Sequence, residues 1–412
     1  MRAARLNRTS WPAPARPVRI VHIGLGNFAR AHQAWYTMAA DPDREWGIAA
    51  FTGRGPGAAE ALAPQQGLYT LIERGPVEDQ LSIVDVLQDA RPGTDVGALI
   101  AAVAAPGTCV VTLTVTEAGY AGTGAESVPG RLALALGQRR MSGSGPLAVV
   151  SCDNLHANGE LLRARTLAAA DNPLGEWIER EVSFVSTSVD RITPRVTAED
   201  RALAERELGL IDAAPVVTEP FTDWVLCGEF PAGRPEWERA GARFVTDIEP
   251  WELRKLWLLN GGHSLLAYLG LVRGHATVAD AVADRELVAA LHEFWDLAGR
   301  YLPTGVDLDL PAYRAQLLER FENARIGYPL LQIADDGFDK LRVRVVPVIE
   351  AAAAAGMPAA PAMRIVEAWA RWLSADPERA QTDQNARVLR RVLGSRGGDD
   401  TIRGLIELLE IE

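Results

Sequence analysis

The pattern of hydrophobic and polar positions changes character near residue 250. Before it, short apolar runs rich in β-branched residues alternate with segments of helical periodicity, and glycine, proline or polar turn residues bound each run. Such runs are typical of strands buried in a parallel sheet. The predicted strands are residues 18–23, 47–52, 70–73, 81–87, 108–115, 147–151, 182–186 and 215–216, and a helix is predicted at about residues 29–40.

After residue 250 the apolar positions recur at helical spacing. The predicted helices, separated by prolines and glycines, are residues 252–270, 278–301, 313–321, 338–355, 362–373 and 401–411. The pattern therefore predicts the α/β class: an N-terminal Rossmann-like, doubly wound sheet domain over residues 1–249, then a mostly α-helical C-terminal domain over residues 250–412. A length of 412 residues agrees with two domains.

Composition narrows the kinds of partner. A net charge of −12 weighs against nucleic-acid binding and against attachment to anionic membranes, because both need a basic surface. The three cysteines have no Cys-x-x-Cys spacing and the histidines lack paired zinc-site spacing, so we expect neither disulfides nor a metal. No secretory leader and no run of 18 apolar residues is recognisable, so we expect a cytoplasmic protein. The expected partner is a small molecule, and the expected assembly is a monomer or homodimer.

A glycine pattern follows the first predicted strand and opens the first helix, in the sequence Gly24-Leu-Gly26-Asn27-Phe28-Ala29. The first glycine permits a tight turn, the second lets a pyrophosphate approach the backbone, and a small third residue lets helix and strand pack closely. In this context the pattern predicts a dinucleotide site formed by these residues. A purely structural turn is the alternative.

The residue that selects between NAD and NADP is not evident. A carboxylate usually ends the second strand and binds the ribose, whereas this strand leads into Thr52-Gly53-Arg54. Arg54 either binds a 2′-phosphate or is a solvated loop residue. This pattern leaves the choice between NAD and NADP open, and the expected cofactor is NAD, with NADP possible.

Polar side chains follow three of the predicted strands, namely Thr114 with Thr116, Asn154, and Asp190 with Arg191. In open α/β sheets, ligands bind at the carboxyl ends of the strands. We expect the two threonines near the cofactor and Asn154 as a hydrogen-bond donor to a substrate oxygen. Asp190 is expected to anchor a hydroxyl or to pair with Arg191. Taken singly, each is also a common cap or turn residue.

A lysine, a carboxylate, an amide and an imidazole occur within twelve residues, 252–263. At about 100° per residue on an α-helix, Glu252 and His263 lie roughly 60° and 80° around the axis from Lys255. By the same rule Asn260 lies at roughly 140°. Aliphatic neighbours favour a neutral lysine, which can act as a base. Two glycines after Asn260 cost about 1 kcal/mol each, which is typical of a functional or tightly packed site. The alternative interpretation is a Lys–Glu pair on the protein surface, followed by the end of the helix at the two glycines.

Other catalytic patterns are missing from the sequence. No Tyr-x-x-x-Lys pair and no Gly-x-Ser-x-Gly elbow occurs. Hydride transfer with an amino-acid base and without a metal is the remaining interpretation.

The chain resembles the long-chain polyol dehydrogenase family, which includes mannitol 2-dehydrogenase, arabinitol dehydrogenase and fructuronate (mannonate) reductase. The resemblance extends over nearly the whole chain. The lysine in Lys255-x4-Asn260-x2-His263 is specific to the family, whereas the glycine loop alone is not. The other motifs lie at residues 20–28, 112–120, 151–154, 189–194 and 233–235.

The resemblance implies an NAD(P)-dependent oxidoreductase in which Lys255 is the general base. It also implies that Asn154 and Asn260 stabilise the alkoxide-like oxygen. His263 would orient the substrate, and Glu252 would relay the proton toward solvent. A dinucleotide-binding redox sensor without catalysis is the alternative.

The resemblance further implies that Asp190 and Lys340 line the substrate pocket. Polyol-oxidising members often carry arginine eight residues before that lysine, whereas this chain has Gln332, which is closer to the fructuronate reductase branch. The implied substrates are mannonate and fructuronate, or mannitol and fructose. A carboxylate substrate needs a basic partner, and Lys340 and Arg191 are the candidates.

Overall fold

The computed structural model describes residues 4–53, 55–376, 378, 379, 383–395 and 399–409. The chain divides into two compact units, Met1–Ile248 and Glu249–Glu412. Within the described ranges, every strand lies in unit 1, and unit 2 is built from helices.

Unit 1 centres on an eight-stranded sheet. Its strands are β2 (Val18–Ile23), β3 (Gly47–Phe51), β6 (Leu87–Arg91), β7 (Val110–Leu113), β8 (Leu147–Ser151), β9 (Val182–Asp190), β12 (Asp223–Cys227) and β13 (Arg243–Val245). Their spatial order is β13-β12-β9-β8-β7-β2-β3-β6. The chain builds outward from β2 through β3 to β6, and then crosses to β7, β8 and β9 on the other side. The strand order thus reverses between β2 and β7, which is where open α/β sheets bind ligands.

Six neighbouring strands of the sheet, in the spatial order β6, β3, β2, β7, β8 and β9, are parallel to one another. Apolar side chains cover both faces of this part of the sheet. Alternate residues of one strand enter two different cores. On β3, Ile48 and Ala50 belong to one cluster, while Ala49 and Phe51 belong to the other. This division follows from the two-residue period of a strand, and it explains why the central strands β3, β7 and β8 are apolar at nearly every position.

Two strands at one edge depart from the predicted pattern. β12 runs antiparallel to β9, and β13 pairs with β12. Neither segment was predicted as a strand. Two small sheets complete the unit: β11 (Val216–Thr218), β4 (Tyr69–Arg74) and β5 (Asp79–Val84) form one, and β1 (Ala4–Arg5) and β10 (Leu210–Ile211) form the other.

The helices of unit 1 connect the strands. The helix predicted at residues 29–40 is two helices, because the backbone at His32 leaves helical geometry (φ −116°, ψ −83°). The helices are α1 (Asn27–Ala31), α2 (Gln33–Ala40), α3 (Gly57–Leu62), α4 (Val96–Ala104), α5 (Val128–Ser142), α6 (Asn158–Ala168), α7 (Asn172–Glu181) and α8 (Ala198–Leu208).

Unit 2 begins with α9 (Glu249–Arg254), a π-helical turn at Lys255–Asn260, and α10 (Gly261–Val272). The helix predicted at residues 278–301 is interrupted at Asp284, which caps its second half. The other helices are α11 (Val278–Ala283), α12 (Arg285–Gly299), α13 (Leu310–Phe321), α14 (Leu330–Ala334), α15 (Gly337–Arg344), α16 (Val346–Ala354), α17 (Ala360–Ala375), α18 (Ala386–Ser395) and α19 (Asp399–Leu408). In the part of the chain that is described, no helix is both long and apolar enough to cross a bilayer.

Candidate active site

The glycine loop follows β2 at the point where the strand order reverses. Gly24 has φ +103°, a conformation that L side chains rarely adopt, and a Cβ placed on it would lie 1.9 Å from the Thr114 carbonyl oxygen. The Gly24 and Leu25 amides both donate to the Phe51 carbonyl oxygen (2.8 and 2.9 Å). Gly24 is therefore required by the turn itself and by its contact with the end of β7.

Gly26 has a different environment. It precedes α1, and a Cβ there would meet nothing closer than the Gly24 carbonyl oxygen at 3.7 Å. The space beside Gly26 is open, as the approach of a phosphate to this backbone requires. Ala29 is buried, in agreement with a small residue at the third position.

Neighbouring polar groups also fit a dinucleotide. Thr114 Oγ1 is buried and has no hydrogen-bond partner among the described residues. An unsatisfied buried hydroxyl next to an open glycine loop is suited to a polar ligand. Asn27 accepts a hydrogen bond from Arg30 (2.8 Å), and Phe28 stacks on His32 with ring centroids 4.9 Å apart. Thr116 is exposed, and Arg54 lies outside the described residues.

A buried carboxylate joins the ends of β7 and β8. Asp153 accepts hydrogen bonds from the Val115 amide (2.5 Å) and from the Tyr120 hydroxyl. Burial raises the pKa of Asp153 to about 7, although both hydrogen bonds oppose the increase. Asn158 Nδ2 also donates to the Asp153 carbonyl oxygen (2.8 Å). These contacts, which were not predicted, fix the backbone on both sides of exposed Asn154.

Replacing Tyr120 by phenylalanine should destabilise the protein in a pH-dependent way. Because the folded-state pKa of Asp153 is raised to about 7, the native carboxyl is ionised at pH 8 and protonated at pH 5. Loss of a hydrogen bond to the ionised group should cost about 1.5–3 kcal/mol of unfolding free energy at pH 8, and less at pH 5. Urea unfolding at both pH values measures the difference. In an Asp153→Asn background the pH dependence of the Tyr120 effect should disappear, and an equal cost at both pH values would contradict the assignment.

Asp190 and Arg191, at the carboxyl end of β9, have different surroundings. Asp190 is buried at the end of β9. The Arg191 guanidinium is fully buried and binds the Glu219 carbonyl oxygen (3.1 Å), the Ala31 carbonyl oxygen (2.5 Å) and the Glu73 carboxylate (2.5 Å). Each of its three nitrogens thus has a partner within unit 1. This geometry favours a structural role for Arg191 and weighs against the prediction that it binds a substrate carboxylate.

In unit 2, the predicted single helix over residues 252–270 is wrong at its centre. Residues Lys255–Asn260 form a π-helical turn, in which hydrogen bonds join residues five apart. The angles predicted for Asn260 and His263 assumed an uninterrupted α-helix, so the extra residue in the turn changes both. Such turns inside α-helices occur frequently at functional sites.

The two glycines after the π-helical turn allow another helix to approach. A Cβ on Gly261 would lie 2.8 Å from the Phe294 ring, and a Cβ on Gly262 would lie 3.1 Å from Leu291 and from Trp295 Nε1. This close contact lets the buried Trp295 indole donate to the Leu258 carbonyl oxygen (2.8 Å). Helix α12 therefore satisfies a backbone carbonyl within the π-helical turn.

A second partner comes from α15. Arg344 Nη1 lies 3.4 Å from both the Asn260 carbonyl oxygen and Ser264 Oγ. The Asn260 side chain is half-buried, and its amide has no hydrogen-bond partner among the described residues. That amide is available to a ligand oxygen.

The remaining predicted residues of unit 2 have different degrees of exposure. His263 is buried and lies against Phe321 and Tyr328, with ring centroids 4.8 and 5.7 Å away. Lys255, Glu252 and Lys340 are partly buried, whereas Gln332 on α14 is exposed. Lys340 Nζ donates to the Ile333 carbonyl oxygen (3.1 Å).

Lysine is rare in this chain. Of the 42 basic residues, two are lysines, Lys255 and Lys340, and the others are arginines. Arginine stays charged in proteins, whereas lysine can lose its proton when its environment favours the neutral amine. A chain that uses arginine almost everywhere, yet has lysine at both of these predicted site positions, supports a specific chemical requirement there.

Comparison with family models gives two adjacent matches. Residues 18–239 match the mannitol dehydrogenase Rossmann domain, and residues 247–410 match the mannitol dehydrogenase C-terminal domain. These matches and the sheet confirm the predicted fold class.

Individual relatives agree. The chain is 37% identical to D-mannonate oxidoreductase of Escherichia coli (strain K12) over 372 residues, covering 82% of this chain and 76% of the relative. It is 35% identical to mannitol 2-dehydrogenase of Cereibacter sphaeroides, covering 85% and 80%. The structure of Pseudomonas fluorescens mannitol 2-dehydrogenase with NAD and D-mannitol matches with a TM-score of 0.81 and 33% identity, covering 98% of this chain and 91% of that one. The chain therefore belongs to the mannitol dehydrogenase family of oxidoreductases.

Proposed function

We propose that this protein catalyses reversible oxidation of a secondary alcohol in a linear sugar alcohol or aldonate, with Lys255 as the general base and NAD as the cofactor. The observation that carries the proposal is the π-helical turn Lys255–Asn260. It begins with one of the two lysines of the chain and ends with Asn260, whose amide has no hydrogen-bond partner within the described ranges. Trp295 and Arg344 bind backbone carbonyls of this turn.

The proposed roles follow from the chemistry of each group. A neutral Lys255 amine accepts the proton of the substrate hydroxyl during oxidation and returns it during reduction. The Asn260 amide, and Asn154 as predicted from the sequence, donate hydrogen bonds to the oxygen as negative charge develops on it. His263 orients the substrate, and Glu252 relays the proton.

The cofactor supplies a hydride acceptor at its nicotinamide ring. Residues of the glycine loop (Gly24, Gly26, Asn27, Phe28 and Ala29) and the threonines after β7 (Thr114 and Thr116) are the groups proposed to hold it. The open space at Gly26 and the unpartnered Thr114 hydroxyl support this assignment. NAD is the cofactor present in the solved relative's complex.

The substrate pairs to test are mannonate with fructuronate and mannitol with fructose, because relatives are named for D-mannonate and for mannitol. Initial rates of NAD and NADP reduction with D-mannonate and with D-mannitol give kcat/KM for each pair. We expect turnover with at least one pair, and a higher rate with NAD. Binding of NADH without turnover of any linear sugar would contradict the proposal and favour a redox sensor, although the family relationship does not favour that alternative.

A further inference from the structure

A pair of cations lies on α15 beside the π-helical turn. Lys340 and Arg344 are one helical turn apart, so their side chains share a face of the helix. Arg344 contacts the Asn260 carbonyl oxygen and Ser264 Oγ. The N-terminal end of α15 is closely packed against α10, because a Cβ on Gly337 would lie 2.3 Å from the Tyr268 hydroxyl. The packing of α15 against the core of unit 2 therefore holds Arg344 next to Asn260 and Lys340 one helical turn away.

The two positive charges have no counter-ion in the part of the chain that the structure describes. Among the described residues, no carboxylate oxygen lies within 4.0 Å of either group. Partial burial lowers the pKa of Lys340, and the neighbouring Arg344 charge lowers it further, whereas Asp336, Asp335 and Asp383 act from a longer distance in the opposite direction. Two partly buried like charges are costly unless an anion neutralises them.

One edge of the Arg344 guanidinium is available to such an anion. Nη1 makes the two contacts with unit 2, at a long 3.4 Å, while Nε and Nη2 have no hydrogen-bond partner among the described residues. Neither of these two nitrogens is completely buried, so a ligand can reach them. The Nε–Nη2 edge of arginine matches the two oxygens of a carboxylate. Lys340 uses one donor for the Ile333 carbonyl oxygen and retains two.

The surroundings of the pair also favour an anionic ligand. Besides Lys340, the ionisable groups near Arg344 are the phenols of Tyr328 and Tyr268, and both are neutral at physiological pH because burial raises the pKa of each phenol. Tyr328 also contacts the ring of His263. A site of this kind is needed in a chain of net charge −12, whose overall field repels anions.

We propose that Lys340 and Arg344 bind a carboxylate of the substrate, so that the protein acts on linear aldonates in preference to neutral sugar alcohols. This assignment rests on the proposed function and narrows its substrate class. Arg344 takes the role that the sequence had suggested for Arg191, whose nitrogens are already occupied within unit 1.

The test is calorimetric binding of D-mannonate, D-mannitol and D-mannitol 1-phosphate to the NADH-loaded protein, which has no hydride acceptor and so does not oxidise them. We expect D-mannonate to bind more tightly than D-mannitol. Arg344→Gln and Lys340→Met should each raise the Kd for D-mannonate relative to that for D-mannitol by about 10–100-fold, because each removes a charge-assisted hydrogen bond. Taking the ratio of the two Kd values cancels any disturbance of Asn260. Arg344→Lys, which retains the charge and loses the two-pronged edge, should give an intermediate ratio.

Arg342→Gln is the matched control, because Arg342 is exposed on the same helix. It should leave the ratio unchanged. A ratio that is unaffected by Arg344→Gln, or tighter binding of D-mannitol by the wild type, would overturn the carboxylate site while oxidation of D-mannitol still upheld the proposed function. Tightest binding of the phosphate, lost in Arg344→Gln, would assign the pair to a phosphate ester instead. If the protein turned over neither D-mannonate nor D-mannitol, both proposals would be overturned.

Discussion

Replacing Lys255 by methionine should reduce kcat for alcohol oxidation by about 10²–10⁴-fold, the usual contribution of a general base. The affinity for NADH should be retained, because the glycine loop of unit 1 is unchanged. In the wild type, kcat/KM for oxidation should rise with pH as the lysine loses its proton. Ketone reduction should show the opposite trend, since it needs the protonated amine. Both dependences should disappear in the variant, and pH–rate profiles in the two directions measure them.

The lysine content allows a direct check of the protonation state. With two lysines in the chain, NMR of protein labelled at the lysine side chains should give two resonances, and Lys340→Met assigns them. The pKa obtained for Lys255 should coincide with the inflection of the oxidation rate. The matched control is Arg285→Met, which removes an exposed cation on α12 and should leave kcat unchanged. Near-normal turnover by Lys255→Met across the pH range would exclude this residue as the base.

The second large effect is expected at the glycine loop, where alanine at Gly24 should reduce stability and alanine at Gly26 should reduce the affinity for NADH. Gly24→Ala forces a Cβ into the Thr114 carbonyl and a side chain onto φ +103°. Backbone strain and overpacking together should cost about 2–6 kcal/mol of unfolding free energy. Denaturant unfolding without cofactor measures this loss, which should be present before any ligand is added.

Gly26→Ala should behave differently. Its added methyl group has open space in the protein alone, so we expect the free energy of unfolding to change by no more than about 1 kcal/mol. The methyl group should instead obstruct the approach of the pyrophosphate and raise the Kd for NADH by at least about tenfold. Fluorescence titration with NADH separates the two variants. Unchanged NADH affinity in a folded Gly26→Ala protein would place the cofactor elsewhere.

Several features were predictable because they depend on local periodicity. The parallel strands β2, β3, β7 and β8 and the first half of β9 were recognised as apolar runs, since a parallel strand buried on both faces needs apolar side chains at successive positions. β6 was missed beyond Leu87, because Gln88, Asp89 and Arg91 interrupt its apolar pattern. β12 and β13 were missed because they form one edge of the sheet beyond an antiparallel junction, and their segment contains glycines, prolines and charged residues. The glycine loop was recognised because its residues are consecutive.

The site in unit 2 was only partly predictable. The Lys255, Asn260 and His263 spacing is visible in one dimension, and the glycines after Asn260 were noted as a local violation. The π-helical turn was not predicted, because it depends on Trp295, 37 residues from Leu258, and on Arg344, 84 residues from Asn260. Arg344 has no distinguishing motif around it, and it is a candidate because its Nε and Nη2 atoms have no hydrogen-bond partner among the described residues.

The sequence by itself determined the α/β class, and it predicted a dinucleotide loop and a short list of groups for proton transfer, because periodicity and residue spacing are local properties. Tertiary structure decided which cations are available. It gave each nitrogen of the buried Arg191 guanidinium a partner, whereas one edge of the Arg344 guanidinium has no partner among the residues that the structure describes. The physical reason is that the free energy of a charged group depends on the atoms within a few ångströms of it, and the fold brings those atoms from distant parts of the chain.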